Sequence, residues 1–208
     1  MPNDFSKARI ALVVALSVVT VALIGASVWT YGIFRRQWDT PFVRRMATML
    51  HFPAARVGSQ WIPYTEYLYH QDAERRFLAG PVAQSEGFDR EPTKDMREQI
   101  LTRLIRTRIV EKTAQDQALP LTPSDVDSAF DALIARAGTT TEPGELETFL
   151  ENEFGWNEAE FKQNALRPAL LETGLKQKKG GDQSAQDAVE KEILDRMEQP
   201  DVVRYLKF

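Results

Sequence analysis

The chain contains no cysteine, and its only histidines are His51 and His70. The absence of thiols excludes structural disulfides, iron–sulfur clusters and zinc sites built from thiolates. Neither histidine has a partner at a spacing typical of a metal site or a catalytic triad, so we interpret both as surface or boundary residues. Cysteine-free proteins occur on both sides of a membrane, and the absence therefore leaves the compartment open.

Motifs for phosphate binding and nucleophilic catalysis are also missing. The 11 glycines form no pattern that resembles a phosphate-binding loop, and no serine lies in a Gly-x-Ser-x-Gly context. Carboxylates are frequent, for example in Glu145 to Glu147 and Glu151 to Glu153, but acidic residues on amphipathic helices usually form a solvated face. The sequence therefore predicts a protein that is not an enzyme, with no catalytic residue, no cofactor and no metal.

Acidic residues outnumber basic residues in most of the chain. The sequence holds 26 basic and 30 acidic residues, and four of the basic residues but a single acidic one precede residue 37. The rest of the chain is therefore acidic, with a net charge of about minus seven. Nucleic-acid binding calls for a basic stripe, so we expect no nucleic acid partner. The residues after the first 36 are enough for one ordinary domain.

One long uncharged segment stands out instead. Ile10 to Phe34 form an apolar run of 25 residues with basic residues on both sides. As an α-helix the run would be roughly 38 Å long, which exceeds a hydrocarbon core of about 30 Å. A cleaved signal peptide is disfavoured because its apolar region spans about 7 to 15 residues, and a buried core helix of this length would need a larger protein around it. We therefore predict an uncleaved transmembrane signal anchor within residues 1–36.

Five residues near the far end of the run are expected at the membrane interface: Trp29, Tyr31, Arg35, Arg36 and Trp38. The orientation of the span stays open at this point. The arginines between residues 35 and 45 outnumber the basic groups before the run, and the positive-inside rule then keeps the C-terminal part in the cytoplasm. A basic stretch beside a span also binds anionic headgroups from either side of the membrane.

The chain after the anchor has an almost entirely helical pattern, which predicts an all-α fold. The clearest element is Thr93 to Ala118, whose apolar residues recur at three-and-four spacing. Further helices are predicted from Thr122, from Pro143 to Phe154, from Asn157 and from Ser184 to Met197. We therefore expect residues 93–208 to form one compact helical domain, with an apolar tail that packs against it.

Proline and glycine residues mark the breaks between the remaining predicted elements. Pro168 removes a backbone donor inside a helical pattern, and we expect it to kink or divide that helix. Residues 37–92 are predicted to form a juxtamembrane segment with a short helix from Thr40 to Leu50, a second helix and a polar loop. Between the two helices, the Gly58–Ser59 turn signal predicts at most a short strand or hairpin near residues 54–62.

Three motifs follow one another between Met96 and Leu171. They are the Leu-Thr-Pro-Ser-Asp-Val helix start at Leu121 to Val126, the Phe154-Gly155-Trp156 break, and the Glu160-Phe161 opening of the next helix. In this order they resemble the helical N-terminal domain of the SurA-type extracytoplasmic chaperones, a family that includes the PpiD-like and PrsA-like foldases. The earlier stretch from Pro53 to Leu68 is similar to the strand and helix that precede that domain in the family.

The chain also departs from the family pattern. Relatives usually have glycine near Gln117–Ala118 and often Asn-Gly at the position of Gly58–Ser59. Many of them carry a parvulin-type prolyl isomerase domain after the helices, and the 37 residues that follow Leu171 are too few for one. We therefore expect no isomerase activity, and a protein related to the prolyl isomerases stays a third alternative.

The resemblance implies a membrane-anchored, extracytoplasmic chaperone-like protein, for example in a periplasm, that binds unfolded or nascent polypeptides. The extracytoplasmic side is opposite to the side that the arginine count favours. The candidate client-contacting residues are Trp61, Tyr64, Tyr67, Phe154, Trp156 and Phe161, although such aromatic residues more often belong to a core. The rival hypothesis is a membrane-anchored helical scaffold that binds one folded partner or a second copy of itself.

Overall fold

The computed structural model describes residues 28, 31–35, 39–137 and 144–208. This part of the chain is mostly helical, as the sequence predicts. The helices after residue 39 are α1 (Pro41–Leu50), α2 (Tyr64–Ala79), α3 (Pro81–Ser85), α4 (Lys94–Asp116), α5 (Pro123–Ala137), α6 (Glu145–Phe154), α7 (Glu158–Phe161), α8 (Arg167–Lys178) and α9 (Gln183–Met197), and a π-helical turn (Lys162–Leu166) joins α7 to α8. The strands are β1 (Pro53–Val57), β2 (Gln60–Pro63) and β3 (Val202–Arg204).

Helix α4 lies at the centre of the core. Thr93 caps its start, because the Thr93 side chain accepts a hydrogen bond from the backbone N–H of Met96 at 3.2 Å. The apolar side chains at three-and-four spacing are buried, and they include Ile100, Leu101, Leu104, Ile105 and Ile109. The predicted amphipathic helix is therefore confirmed, with ends that differ from the expected ones by one and two residues.

The small sheet has the strand order β2–β1–β3, and neighbouring strands are antiparallel. The predicted hairpin is present and turns at Gly58, whose φ of 59° lies in the left-handed region that favours glycine. The expectation of at most a hairpin near residues 54–62 is wrong, because β3 pairs with β1 from the far end of the chain. Three residues are too few to show a strand periodicity, and the pairing is long-range.

The two sides of the predicted domain boundary at residues 92 and 93 share one hydrophobic core. Ala55 and Tyr67 contribute from the N-terminal side, and Ile105, Leu175 and Leu206 contribute from the C-terminal side. All five residues are at most 3% exposed. The predicted apolar tail therefore packs into this core, and α3 forms part of the predicted polar loop between α2 and α4.

A network of ion pairs fixes α1 to α2. The Arg44 guanidinium contacts the carboxylates of Asp39 and Asp72 at 2.5 Å each, and Arg75 contacts Asp72 at 3.1 Å. Burial alone would raise the pKa of Asp39, but hydrogen bonds and charges from Arg44 and Arg75 outweigh burial and lower it. Asp39 is therefore ionised at neutral pH, and the orientation of α1 on the body is set by charge as well as by packing.

The predicted membrane anchor falls largely outside the described residues, which include only residues 28 and 31–34 of the run from Ile10 to Phe34. Within the part of the chain that the structure describes, no helix combines the length and apolar character needed to cross a bilayer. Residues 31–35 are helical, and Ile33 is buried in the core of the body. The end of the apolar run therefore contacts the folded body directly.

Candidate functional site

A cavity of about 460 Å³ lies between α2, α4 and the segment that runs from α6 to α8. Its wall is built from aromatic and small residues, which are Phe154, Trp156, Phe161, Ala73, Ala165, Ala169, Val110 and Pro168. Charged side chains at the cavity are Glu74, Arg103, Arg106 and Glu172. We call this surface the aromatic groove. Its volume lies in the range of about 300–1,000 Å³ that is typical of ligand pockets.

The end of α6 places Trp156 at the groove. Gly155 follows the helix with a φ of 69°, and its N–H donates to the Glu151 carbonyl oxygen at 3.0 Å. A Cβ atom on residue 155 would lie 2.6 Å from Nη1 of Arg76, so a larger residue would have to displace the exposed, flexible end of the Arg76 side chain. The break between α6 and α7, which the sequence predicts, therefore has a backbone cause in the left-handed conformation of Gly155.

Stacked rings connect the aromatic wall of the groove to α2. Phe77 and Phe154 stack with their ring centroids 5.5 Å apart and their planes nearly parallel. Phe154 in turn stacks on Trp156 at 5.7 Å, and Trp156 stacks on Tyr69 at 6.3 Å. Such offset pairs contribute about 0.5–1.5 kcal/mol each beyond the area they bury. The wall is therefore held by contacts that reach from α2 to the start of α7.

A capping box starts α7 and positions Phe161. The Asn157 side chain accepts a hydrogen bond from the Glu160 N–H at 2.9 Å, and the Glu160 carboxylate accepts one from the Asn157 N–H at 2.8 Å. This reciprocal pair satisfies two backbone donors that the helix itself leaves free. The predicted cap at Asn157 is thus confirmed.

Pro168 explains the π-helical turn beside the groove. The proline ring would clash with the carbonyl group four residues earlier, at Asn164, in a regular α-helix. The backbone widens instead, and the N–H of Arg167 donates to the carbonyl oxygen of Lys162, five residues back. Asn164 and Ala165, which lie in this turn, both line the groove. The expected disturbance at Pro168 is therefore a local widening of the helix, a feature frequent at functional sites.

The charges at the groove are mostly paired. Arg106 binds Glu190 through two hydrogen bonds of 2.8 Å and 2.6 Å, and it contacts Glu172 at 3.1 Å. Burial raises the pKa of Glu172, but Lys176 and Arg106 lower it by a larger total amount. Arg103 is more loosely held, because its nearest carboxylate oxygen is 3.9 Å away on Glu74. Both signs of charge therefore border an apolar wall.

His70 is buried behind the groove, with 6% of its surface exposed. This placement corrects its interpretation as a surface or boundary residue; the face of α2 that carries it packs against α4 and Trp156. Burial and the charges of Arg103 and Arg108 lower the pKa of His70 to about 4. The imidazole is therefore neutral near pH 7. His51, in contrast, is exposed at the end of α1.

The six predicted client-contacting residues fall into three places. Phe154, Trp156 and Phe161 line the aromatic groove. Tyr64 and Tyr67 are fully buried in the core, so in this structure they have no surface to offer a client. Trp61 is 53% exposed on β2, where its ring stacks on Tyr205 with a centroid distance of 5.9 Å, and it does not line the groove.

Sequence reasoning missed the small residues of the groove. Ala165 and Ala169 lie one helical turn apart and leave room beside the rings of Phe154 and Phe161. Their spacing of four residues indicates from the sequence that both alanines lie on one helix face. The sequence does not show that Arg106 belongs to the groove, because its partners Glu172 and Glu190 lie on other helices.

The predicted membrane-interface residues are only partly described. Tyr31 is 56% exposed, and Arg35 is exposed as well. Trp29, Arg36 and Trp38 lie outside the described residues. Across the residues that the structure does describe, no group of three or more histidine, aspartate or glutamate side chains is arranged to hold a metal ion.

No protein-family model, curated protein or solved structure matches this chain. The geometry and chemistry of the aromatic groove are therefore the basis for assigning a function.

Proposed function

We propose that this protein is a membrane-anchored, extracytoplasmic chaperone-like protein that binds unfolded or partly folded polypeptides and catalyses no reaction. The observation that carries the proposal is the aromatic groove, an open apolar cavity of about 460 Å³ on a helical body. The proposal includes a single transmembrane helix within residues 1–36 and a body that resembles the SurA-type N-terminal domain.

The wall of the groove suits side chains that a folded protein would bury. Burial of apolar surface contributes roughly 25 cal/mol per Å², and aromatic rings add large contact areas. Phe154, Trp156 and Phe161 are all half-buried, so each ring has surface left for a bound chain. Because the stacked rings are already ordered, little conformational entropy is lost when a polypeptide binds.

The charges at the groove favour binding with little sequence preference. Glu74 and Glu172 stand beside Arg103 and Arg106, so no single sign of charge dominates. The Arg106 guanidinium is held by Glu172 and Glu190, and a client does not have to supply a partner for it. Apolar segments with different flanking residues can then share one site.

The proposed anchor would keep the groove beside the membrane. Attachment through Ile10 to Phe34 raises the local concentration of the groove beside the membrane without any new contact. On the extracytoplasmic side, which the family resemblance favours, polypeptides emerging from translocation would be the nearest clients. Protease digestion of the body in cells stripped of any outer barrier tests this side, and protection of the body would contradict it.

The binding activity is tested with the full chain reconstituted in lipid nanodiscs. We expect it to suppress aggregation of several unrelated unfolded proteins, and we expect Trp156→Ala to lower the suppression several-fold. The matched control is Trp61→Ala, because Trp61 is exposed but lies outside the groove. Equal losses for both variants, or no suppression together with one tightly co-purifying folded partner, would contradict the proposal and favour a scaffold.

A further inference from the structure

Helix α1 has a wider apolar face than the core covers. Val43 and Ala47 point into the core and are 2% exposed, whereas Phe42 and Met49 are 60% and 72% exposed. At about 100° per residue, Phe42, Met46 and Met49 lie within an arc of about 60° on the helix surface. We call these three residues the interfacial stripe.

The charge on α1 has one sign. The helix contains Arg44 and Arg45 and no acidic residue. Arg44 is engaged by Asp39 and Asp72, while Arg45 is exposed about 40° from Met49 on the helix surface. An apolar stripe beside an exposed arginine is typical of helices that lie in a membrane interface, where the arginine reaches the headgroups.

The position of α1 in the chain places it near a bilayer. The apolar run ends at Phe34, whose carbonyl oxygen accepts a hydrogen bond from the Lys207 N–H at 2.9 Å. The ring centroids of Phe34 and Tyr205 are also 6.3 Å apart, so this end of the run is attached to the body. The seven residues from Phe34 to Pro41 can span at most about 25 Å.

We infer that the interfacial stripe lies in the headgroup region of the bilayer that holds the apolar run, with anionic phospholipid as its partner. This inference rests on the membrane anchor of the proposed function. Three side chains are far less than the surface of about 800 Å² per partner that a stable protein dimer buries, and the exposed positive charge of Arg45 beside them favours a negatively charged partner. A lipid surface accepts a small apolar stripe and supplies the negative charge.

A second attachment point has a consequence for the body. Attachment at the end of the apolar run alone would hold the body at the membrane in one place and leave its tilt relative to the bilayer undetermined. The ion pairs of Arg44 with Asp72 and of Asp39 with Arg75 couple α1 and the residues before it to α2, and α2 carries one side of the aromatic groove. Immersion of the stripe therefore holds the groove in one orientation relative to the bilayer.

The absence of cysteine makes the inference testable with single labels on the full chain. Nitroxide labels are placed at Met49→Cys in the stripe, Leu194→Cys on α9 and Val18→Cys in the apolar run, in vesicles of phosphatidylcholine with phosphatidylglycerol. Leu194 is the matched control because it is also apolar and exposed, at 50%. We expect the ratio of collisions with oxygen to collisions with a nickel chelate to be several-fold higher at position 49 than at position 194.

The outcomes separate this inference from the anchor itself. A lipid-exposed label at position 18 with equal ratios at positions 49 and 194 would overturn the inference and leave the anchor intact. A water-exposed label at position 18 would overturn both. A label at position 49 that is shielded from oxygen and from the chelate would show a protein partner, and the inference would fail.

The charge of the partner is tested by Arg45→Glu. One arginine near an anionic surface strengthens membrane binding by about 1 kcal/mol. The Arg45→Glu variant should therefore lower the ratio of immersed to free stripe at least about fivefold. In vesicles of phosphatidylcholine alone, which carry no net negative charge, the ratio of immersed to free stripe should also fall for the chain without the substitution. Equal immersion of position 49 in both kinds of vesicle, and in the Arg45→Glu variant, would overturn the assignment of anionic lipid.

Discussion

The backbone N–H of Lys207 donates a hydrogen bond to the carbonyl oxygen of Phe34 at 2.9 Å. This bond joins the C-terminal tail to the end of the apolar run. The tail is fixed in turn by β3, which pairs with β1, and by Leu206, which is 3% exposed. The last residues of the chain therefore support both the core and the attachment of the body to the predicted anchor.

The first prediction concerns Leu206. Leu206→Ala should lower the free energy of unfolding by about 2–4 kcal/mol, because it removes buried methyl groups and leaves a cavity. Urea unfolding of the full chain in nanodiscs, followed by tryptophan fluorescence, measures the change. The control Leu194→Ala affects a half-exposed side chain and should cost less than about 1 kcal/mol. Equal losses for the two variants would show that the tail does not contribute to the core.

The second prediction concerns pH. His70 has a folded pKa of about 4 against an ordinary value of 6.5, since burial and the charges of Arg103 and Arg108 oppose its protonation. The unfolded chain therefore binds the proton first as pH falls, and stability due to His70 is complete above pH 6.5 and declines toward pH 4. The expected loss is about 3 kcal/mol by pH 4.

A neutral replacement isolates this effect from the titration of carboxylates. His70→Asn should flatten the fall in unfolding free energy between pH 6.5 and pH 4, although it lowers stability at pH 7 by its own packing defect. His51→Asn is the matched control, because His51 is exposed and Asn tolerates its left-handed backbone. The account of His70 fails if the pH dependence of His70→Asn and His51→Asn is the same.

The third prediction compares two arginines on α4. Arg106→Lys should lower the free energy of unfolding by about 1 kcal/mol, because lysine cannot reproduce the paired hydrogen bonds to Glu190. Arg103→Lys should change it by less than about 0.5 kcal/mol, since Arg103 is 3.9 Å from Glu74 and its side chain is 56% exposed. Unfolding in urea measures both values, and a larger loss at Arg103 would contradict the described network.

The fourth prediction compares two glycines with positive φ. Gly155→Ala should cost about 1–2 kcal/mol, because it adds to the strain of the left-handed backbone the displacement of the Arg76 guanidinium, which donates a hydrogen bond to the Glu151 carbonyl oxygen at 3.3 Å. Gly87→Ala adds strain alone, since nothing lies within 4 Å of its new Cβ, and should cost about 1 kcal/mol. A shifted emission maximum of Trp156 should accompany the first change. Equal costs would mean that the close approach of Arg76 is unimportant.

The helices were predictable because their signals are local. Thr93, Asn157 and Gly155 mark helix ends through side-chain oxygens or through missing Cβ atoms, and the structure places helix boundaries beside all three. Strand β3 was not predictable, since its three residues are held by partners on β1 that lie far away in the chain. Local patterns cannot identify such a pairing.

The groove was predictable only in part. Aromatic character at Phe154, Trp156 and Phe161 marked three of its wall residues, but the same character at Tyr64 and Tyr67 belongs to the core. The difference arises from which helix faces meet, and a single sequence does not contain that information directly. Pro168 predicts a disturbed helix from the sequence alone, whereas the π-helical geometry of the turn before it does not follow from a local pattern.

The most direct test of the aromatic groove fills it without disturbing the core. Ala169 is exposed on α8 and lines the groove, so Ala169→Leu adds bulk there, while Ala132→Leu makes the same change at an exposed position of α5 outside it. The measurement is the affinity of the full chain in nanodiscs for a permanently unfolded, fluorescently labelled polypeptide. We expect Ala169→Leu to weaken binding about tenfold and Ala132→Leu to leave it unchanged. Unchanged affinity in Ala169→Leu would contradict the assignment of the groove as the client site.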